Sequence, residues 1–235
     1  VHGGPQVAYV DAWMTKWSQQ ILAGAGYFVF VVNFHGSSGY GQEFIDSVQG
    51  NWGSKPAVDI AAGIEALLND YEYGSIINQD KIVGLGFGYG GYLVNFLNGL
   101  SSRERKFNFS AIVSHGGVFD TRTMYYEIDE LWRPEYDFYG PEFQDPTIYE
   151  LWNPLLNVSL WETPTMFIHT ENDFRFSDSQ SISAFNLMQR RGIPSQLLYF
   201  EDEGSRMGNK CNLVYWYDNV LDFMKEYAPP PFLSE

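Results

Sequence analysis

The densest chemical signal in the chain is the run Gly86-Phe87-Gly88-Tyr89-Gly90-Gly91. A strand-like apolar run, residues 81–86, leads into it, and a helix-like run, residues 92–97, leads out. Two kinds of chemistry use a glycine-rich turn in that setting. In a nucleophile turn, Gly-x-Ser-x-Gly, the flanking glycines permit a sharp strand-to-helix bend that lifts the central residue into a cleft. Here the central residue is Gly88, which has no side chain to attack with. In a dinucleotide-binding turn, Gly-x-Gly-x-x-Gly, the glycines would be Gly86, Gly88 and Gly91, with a pyrophosphate on the helix N-terminus. Spacing alone leaves both open. The second also needs an acidic residue roughly 20 positions on, at a strand end. Glu104 is in range but lies in the polar stretch Ser101-Ser102-Arg103-Glu104-Arg105-Lys106, and strand and helix patterns already precede the turn.

A second group is His169, Glu171 and Asp173, whose alternation would put all three on one side of a strand. No fourth ligand follows in a recognisable pattern, so neither a metal nor another cofactor is expected. The remaining histidines are His2, His35 and His115.

The elements that must position these residues alternate along the chain. Continuous apolar runs at 27–33, 81–86, 111–114, 166–169 and 196–200 read as strands buried on both faces. Between them, Ile60, Ile64, Leu67, Leu68 and Tyr71 recur at helical spacing behind Pro56, and a helix runs through Ile182, Phe185, Leu187 and Met188. A final helix carries Leu213, Trp216, Val220, Phe223, Met224 and Tyr227 on one stripe and stops at Pro229-Pro230-Pro231. Such alternation predicts an α/β fold, a mostly parallel sheet with helices on both faces. Residues 117–163 are richer in Tyr, Trp, Pro and acids, with weak periodicity. They read as short helices and loops beside the sheet, or as an aromatic wall over a site.

Composition narrows the class. With 235 residues, 45% hydrophobic and 18% charged, the chain is neither disordered nor fibrous and suits one domain, 1–235. Lys and Arg total 14 against 29 Asp and Glu, a net charge of −15, which argues against nucleic-acid or anionic-membrane partners. One cysteine excludes an internal disulfide framework. No apolar run reaches the ~20 residues of a membrane span. Asn108-Phe109-Ser110 and Asn157-Val158-Ser159 match the glycosylation pattern, as often as chance allows, and leave the compartment unknown. The opening Val1-His2-Gly3-Gly4-Pro5 has no start Met or leader and reads as truncated.

Several blocks, taken in order, resemble the prolyl oligopeptidase family of serine peptidases. They are His2-Gly3-Gly4-Pro5, Asn33-Phe34-His35-Gly36-Ser37-Ser38-Gly39-Tyr40-Gly41, and Trp52-Gly53 with Asp59 and Gly63. Gly86-Phe87-Gly88-Tyr89-Gly90-Gly91-Tyr92 looks like the family's Gly-x-Ser-Tyr-Gly-Gly-Tyr with Ser changed to Gly. The run from Ile168 to Arg175 looks like the block bearing the triad acid, at Asp173. Asp202-Glu203-Gly204-Ser205 looks like Asp-Glu-Gly-His with the catalytic His changed to Ser. The resemblance runs almost end to end and is greatest to the fungal dipeptidyl-peptidase V and acylaminoacyl-peptidase branch.

The resemblance implies an α/β-hydrolase fold, normally preceded by a β-propeller, and a weakly favoured secretory setting. It assigns Gly88 to the nucleophile position, Asp173 to the acid and Ser205 to the base. The Tyr89 backbone N–H and the loop at Gly3 would form the oxyanion hole, and Arg175 would hold a substrate carbonyl. Expected partners are a peptide or protein in the relic cleft, the chain's own upstream propeller, and a second copy of the chain. Two readings follow. One is a natural pseudoenzyme that binds without cutting. The other is an active serine exopeptidase inactivated on purpose. Replacement at two triad positions, with Thr170 and Arg206-Met207 also departing from the family pattern, favours the first.

Overall fold

A computed structural model describes residues 1–14 and 16–231. Four strands, β1 (Ile82–Phe87), β2 (Phe109–His115), β3 (Thr165–Asn172) and β4 (Ser195–Gly204), form one parallel sheet in the order β1-β2-β3-β4. Ahead of it lie α1 (Gln19–Gly24), α2 (Gln42–Asp46) and α3 (Lys55–Leu68). The crossover from β1 to β2 carries α4 (Tyr89–Asn98) and α5 (Ser102–Arg105). From β2 to β3 it carries α6 (Thr121–Glu127), α7 (Trp132–Asp137), α8 (Thr147–Leu151) and a 3-10 stretch, Pro154–Leu160. Between β3 and β4 lies α9 (Asp178–Arg190), and α10 (Lys210–Tyr227) follows β4.

The two-residue period of the strands sorts the core onto two faces. Ala111 and Val113 on β2, with Met166 and Ile168 on β3, pack against Trp216, Val220, Phe223 and Met224 of α10. The alternate residues face the other way: Phe167 packs with Ala184 and Met188 of α9, and Ser114 Oγ donates to Gly91 O of α4 (3.2 Å). Thus α10 covers one face while α4 and α9 cover the other. Every residue of α4 is buried, which explains its lack of a polar side. α10 starts where the Asn209 side chain accepts from Cys211 N (2.9 Å) and ends before the prolines, as its stripe predicts.

The expected strand at 27–33 is not a strand. On that side β1 is met at Leu85 O by the Val1 ammonium (2.6 Å), and residues 27–33 make no ladder with any described strand. Phe28 and Phe30 are exposed, Phe28 leaning on Tyr73 and Phe30 on α3 at Gly63. An apolar run signals a buried strand only when a neighbour supplies the hydrogen bonds. Likewise Tyr71 lies beyond the end of α3 and is exposed. Residues 117–163 do form short helices beside the sheet, with Tyr126, Trp132 and Tyr136 turned outward.

Candidate active site

β1 ends at Phe87, and Gly88 turns the chain into α4 with φ +59 and ψ −118. Its N–H donates to His115 O (2.9 Å), the last residue of the neighbouring strand. A side chain at that positive φ costs roughly 1–3 kcal/mol. The glycines of the run serve different ends. A Cβ on Gly86 would strike the Gly90 carbonyl, and one on Gly91 would stand 2.7 Å from Gly117 Cα. A Cβ on Gly88 would meet only Phe176 Cε2, at 3.8 Å, which is ordinary contact. Gly86 and Gly91 let backbone approach backbone, whereas Gly88 occupies a position with room for a side chain. The dinucleotide alternative loses its acid, because Glu104 closes a capping box with Ser101 at the start of α5.

Sheet register brings the next two positions together. Asn172 on β3 pairs with Gly204 on β4, so Asp173 and Ser205 leave adjacent strands from paired neighbours. Asp173 is 6% exposed; its Oδ1 accepts from Arg175 N (2.9 Å) and Phe176 N (3.2 Å). Its Oδ2 lies 3.4 Å from where a Cβ on Gly116 would stand. Burial pushes this carboxyl above the usual range, against the pull of the two backbone N–H groups. The loop bearing Ser205 is tied by Glu203, whose buried carboxylate accepts from Gly208 N (2.7 Å), Asn209 N (2.9 Å) and Asn212 Nδ2 (2.9 Å). Burial opposes the charge on Glu203, but these bonds prevail and hold it below the usual carboxylate range.

Gly88, Asp173 and Ser205 therefore sit past the carboxyl ends of β1, β3 and β4, the edge of a parallel sheet where ligands bind. Phe176, the residue after Arg175, packs beside Gly88 and joins the two sides. Gly3 lies against the end of β1, where its own Cβ would stand 3.0 Å from Phe87 O. Tyr89 opens α4, so its N–H belongs to the first turn, where helix donors lack intrahelical partners. The Tyr89 ring points away, and its hydroxyl donates to Trp52 O (2.5 Å).

Each histidine is engaged elsewhere. His169 is fully buried, with Nδ1 on Ser181 Oγ (2.8 Å) and Nε2 on Phe176 O (2.9 Å). His115 Nδ1 accepts from Trp216 Nε1 (3.2 Å), and burial pushes its pKa down to about 3. His2 Nε2 meets Ser37 Oγ (2.9 Å), and His35 pairs with Asp59 (2.6 Å). Among the described residues, no group of three or more His, Cys, Asp or Glu is placed to hold a metal ion.

Arg175 brings two residues that the motifs did not reveal. Its Nε pairs with Asp129 Oδ1 (3.1 Å) and its Nη1 with Glu130 Oε2 (2.5 Å), while Asp129 N donates to Phe174 O (3.0 Å). Gly116, with φ +55, and Phe176 were also missed. The Gly116-Gly117 pair after a strand was a readable signal for a tight turn; the Asp129–Glu130 clasp had none, since it joins positions 45 residues apart, across α7, α8 and β3.

Comparison with known proteins fits this geometry. A family model described as "Prolyl oligopeptidase family" matches residues 13–230. Dipeptidyl-peptidase 5 of Schizosaccharomyces pombe is 40% identical over 228 residues, 97% of this chain and 32% of that protein. Dipeptidyl-peptidase 5 of Aspergillus oryzae is 35% identical over 232 residues, covering 97% and 31%. The uncomplexed acylaminoacyl peptidase of Pyrococcus horikoshii superposes with a TM-score of 0.87 at 24% identity, over 98% of this chain and 37% of that one. The chain spans about a third of the length of the curated relatives it matches. The fold is that of the α/β-hydrolase peptidases.

Proposed function

This chain belongs to the prolyl oligopeptidase family, and on that premise we propose that it is a dipeptidyl-peptidase-like domain that binds a peptide end without cutting it. The observation that carries this reading is Gly88. It stands at the nucleophile turn with open space for a side chain it lacks, while all four histidines are bonded elsewhere. Peptide cleavage by this family's chemistry needs a serine hydroxyl to attack and an imidazole to take its proton. A hydroxyl at Ser205 is no base near neutral pH.

Binding needs less. A peptide carbonyl could accept from the Tyr89 N–H beside Gly3, and Arg175 could hold a second carbonyl. Asp173 keeps its two backbone bonds, so the loop it anchors stays formed without a base beside it. The domain expected upstream, a β-propeller, would frame the entrance. The rival reading, an active exopeptidase with two residues exchanged on purpose, draws on the same open space at Gly88. The departures at Thr170 and Arg206 weigh against it. The test is a titration with dipeptidyl p-nitroanilides followed by both calorimetry and absorbance. Saturable heat without p-nitroaniline release supports binding alone; release at a constant rate overturns it.

A further inference from the structure

The loop at Gly3 and the Tyr89 end of α4 are both tied to one buried carboxylate. Asp137, the last residue of α7, is 4% exposed. Its Oδ1 accepts from Gln6 Nε2 (3.0 Å), three residues after Gly3, and its Oδ2 accepts from Trp52 Nε1 (2.9 Å). Trp52 in turn holds Tyr89. Its carbonyl accepts from the Tyr89 hydroxyl (2.5 Å), and the two rings meet edge-on at 5.1 Å. The Asp137 carbonyl also accepts from Gly50 N (2.8 Å), two residues before Trp52. Gln6 lies 131 residues from Asp137 along the chain and Trp52 lies 85, so a single side chain joins three distant segments.

Two N–H donors aimed at two carboxyl oxygens suit the ionised acid, which accepts at both. Such charge-assisted bonds are about twice as strong as neutral ones, so a proton on Asp137 slackens the ties to Gln6 and Trp52. Arg133, one turn earlier on α7, favours the ionised form, and Tyr136 and Tyr89 are the phenols nearest in charge interaction. Tyr136 is turned to Asp46, whose Oδ1 accepts from its hydroxyl (3.1 Å). On the Gly3 loop, His2 is neutral, because burial pushes its pKa down to about 4. Burial outweighs the two bonds to Asp137 and raises its pKa to about 6, so its charge changes close to neutral pH.

We infer that Asp137 is a positioning residue for peptide binding, holding the Gly3 loop through Gln6 and Tyr89 through Trp52 while ionised, and slackening both when protonated. The inference rests on the binding reading above and adds acidity as a control on the same site. Coupling is reciprocal, so a bound peptide favours the ionised carboxylate as strongly as that carboxylate favours the peptide.

The test is calorimetric titration with Ala-Ala p-nitroanilide at pH 7, 6 and 5. Affinity should fall about five- to tenfold over this range, as the ionised fraction of Asp137 drops from about nine-tenths to about one-tenth. Asp137→Asn should bind at least threefold more weakly at pH 7 and show no pH slope. Gln6→Met, at a half-buried position, should also weaken binding at pH 7 at least threefold. In the free wild-type chain, the Trp52 indole N–H resonance, identified by its loss in Trp52→Phe, should titrate with a midpoint of about 6. Circular dichroism verifies folding, and an unfolded Asp137→Asn leaves the decision to Gln6→Met and the indole resonance. Wild-type binding that is unchanged from pH 7 to 5 overturns this inference alone. So does a slope that persists in folded Asp137→Asn, unchanged affinity in Gln6→Met, or an indole resonance that does not titrate. A wild-type chain that does not bind at pH 7 overturns the binding reading and this inference with it.

Discussion

Asn172 pairs with Gly204 at the end of the β3–β4 ladder, and that pairing sets Asp173 and Ser205 side by side at the carboxyl edge of the sheet. From Thr165–Ser195 to Thr170–Phe200 the ladder is regular and the core against α10 fixes it, since a shift of one residue would turn the side chains of β4 to the wrong face. An irregularity after Thr170 then lets β4 advance four residues while β3 advances two, which brings Gly204 opposite Asn172. The placement of these two residues is thus held by the ladder and not by a contact between their side chains.

The glycines of the turn should separate cleanly by mutation. Gly88→Ser meets only Phe176 and carries the positive-φ strain, so it should lower stability by no more than about 3 kcal/mol. Gly91→Ala drives a methyl into Gly117 and should cost more than that or prevent folding. Urea unfolding of both variants checks the order.

Arg175 should matter to ligand and not to stability. Its ion pairs with Asp129 and Glu130 lie at a partly exposed surface, where such pairs contribute about 0–1 kcal/mol. Arg175→Ala is expected to weaken dipeptidyl p-nitroanilide binding at least tenfold while leaving the unfolding midpoint nearly unchanged. Equal affinity in the variant would remove Arg175 from the cleft's function.

Asp137 on α7 provides a pH test. It is 4% exposed, accepts from Trp52 Nε1 (2.9 Å) and Gln6 Nε2 (3.0 Å), and burial raises its pKa to about 6. The folded chain then holds this proton more tightly than the unfolded chain, so its contribution to stability falls as pH rises from about 4 to 6. The fall is at most about 3 kcal/mol, and above pH 6 it is complete. Asp137→Asn should remove this segment of the profile. Denaturant unfolding of both proteins between pH 4 and 7 measures the difference.

Much of this was legible in the sequence where local pattern and tertiary demand agree. The β1–Gly88–α4 unit could be read because a buried parallel strand and a buried helix are both mostly apolar, with Asn95 and Asn98 the exceptions in α4, and because glycine marks close backbone approach. The α10 stripe could be read because one face meets the sheet. Residues 27–33 misled because apolarity reports a preference for burial, while a strand also needs a hydrogen-bonded neighbour. The Asp129–Glu130 clasp on Arg175 and the packing of Phe176 beside Gly88 were not legible, since each joins segments far apart in the chain and carries no periodicity. Gly88, Asp173 and Ser205 were found by resemblance of blocks; their shared sheet edge comes from the register.

A double variant, Gly88→Ser with Ser205→His, should restore a hydroxyl and an imidazole in line with Asp173, whereas either change alone should not. Triad members act as a unit, so one without the other leaves only residual catalysis. Hydrolysis of dipeptidyl p-nitroanilides by the double variant, and by neither single one, is the expected pattern.

The most direct measurement is intact mass spectrometry of the unmodified chain after treatment with a serine-directed fluorophosphonate. A chain without a nucleophile–base pair has no activated serine, so the account predicts an unchanged mass and no p-nitroaniline release. A stoichiometric phosphonyl adduct on a serine, accompanied by loss of a measurable hydrolytic activity, would contradict it.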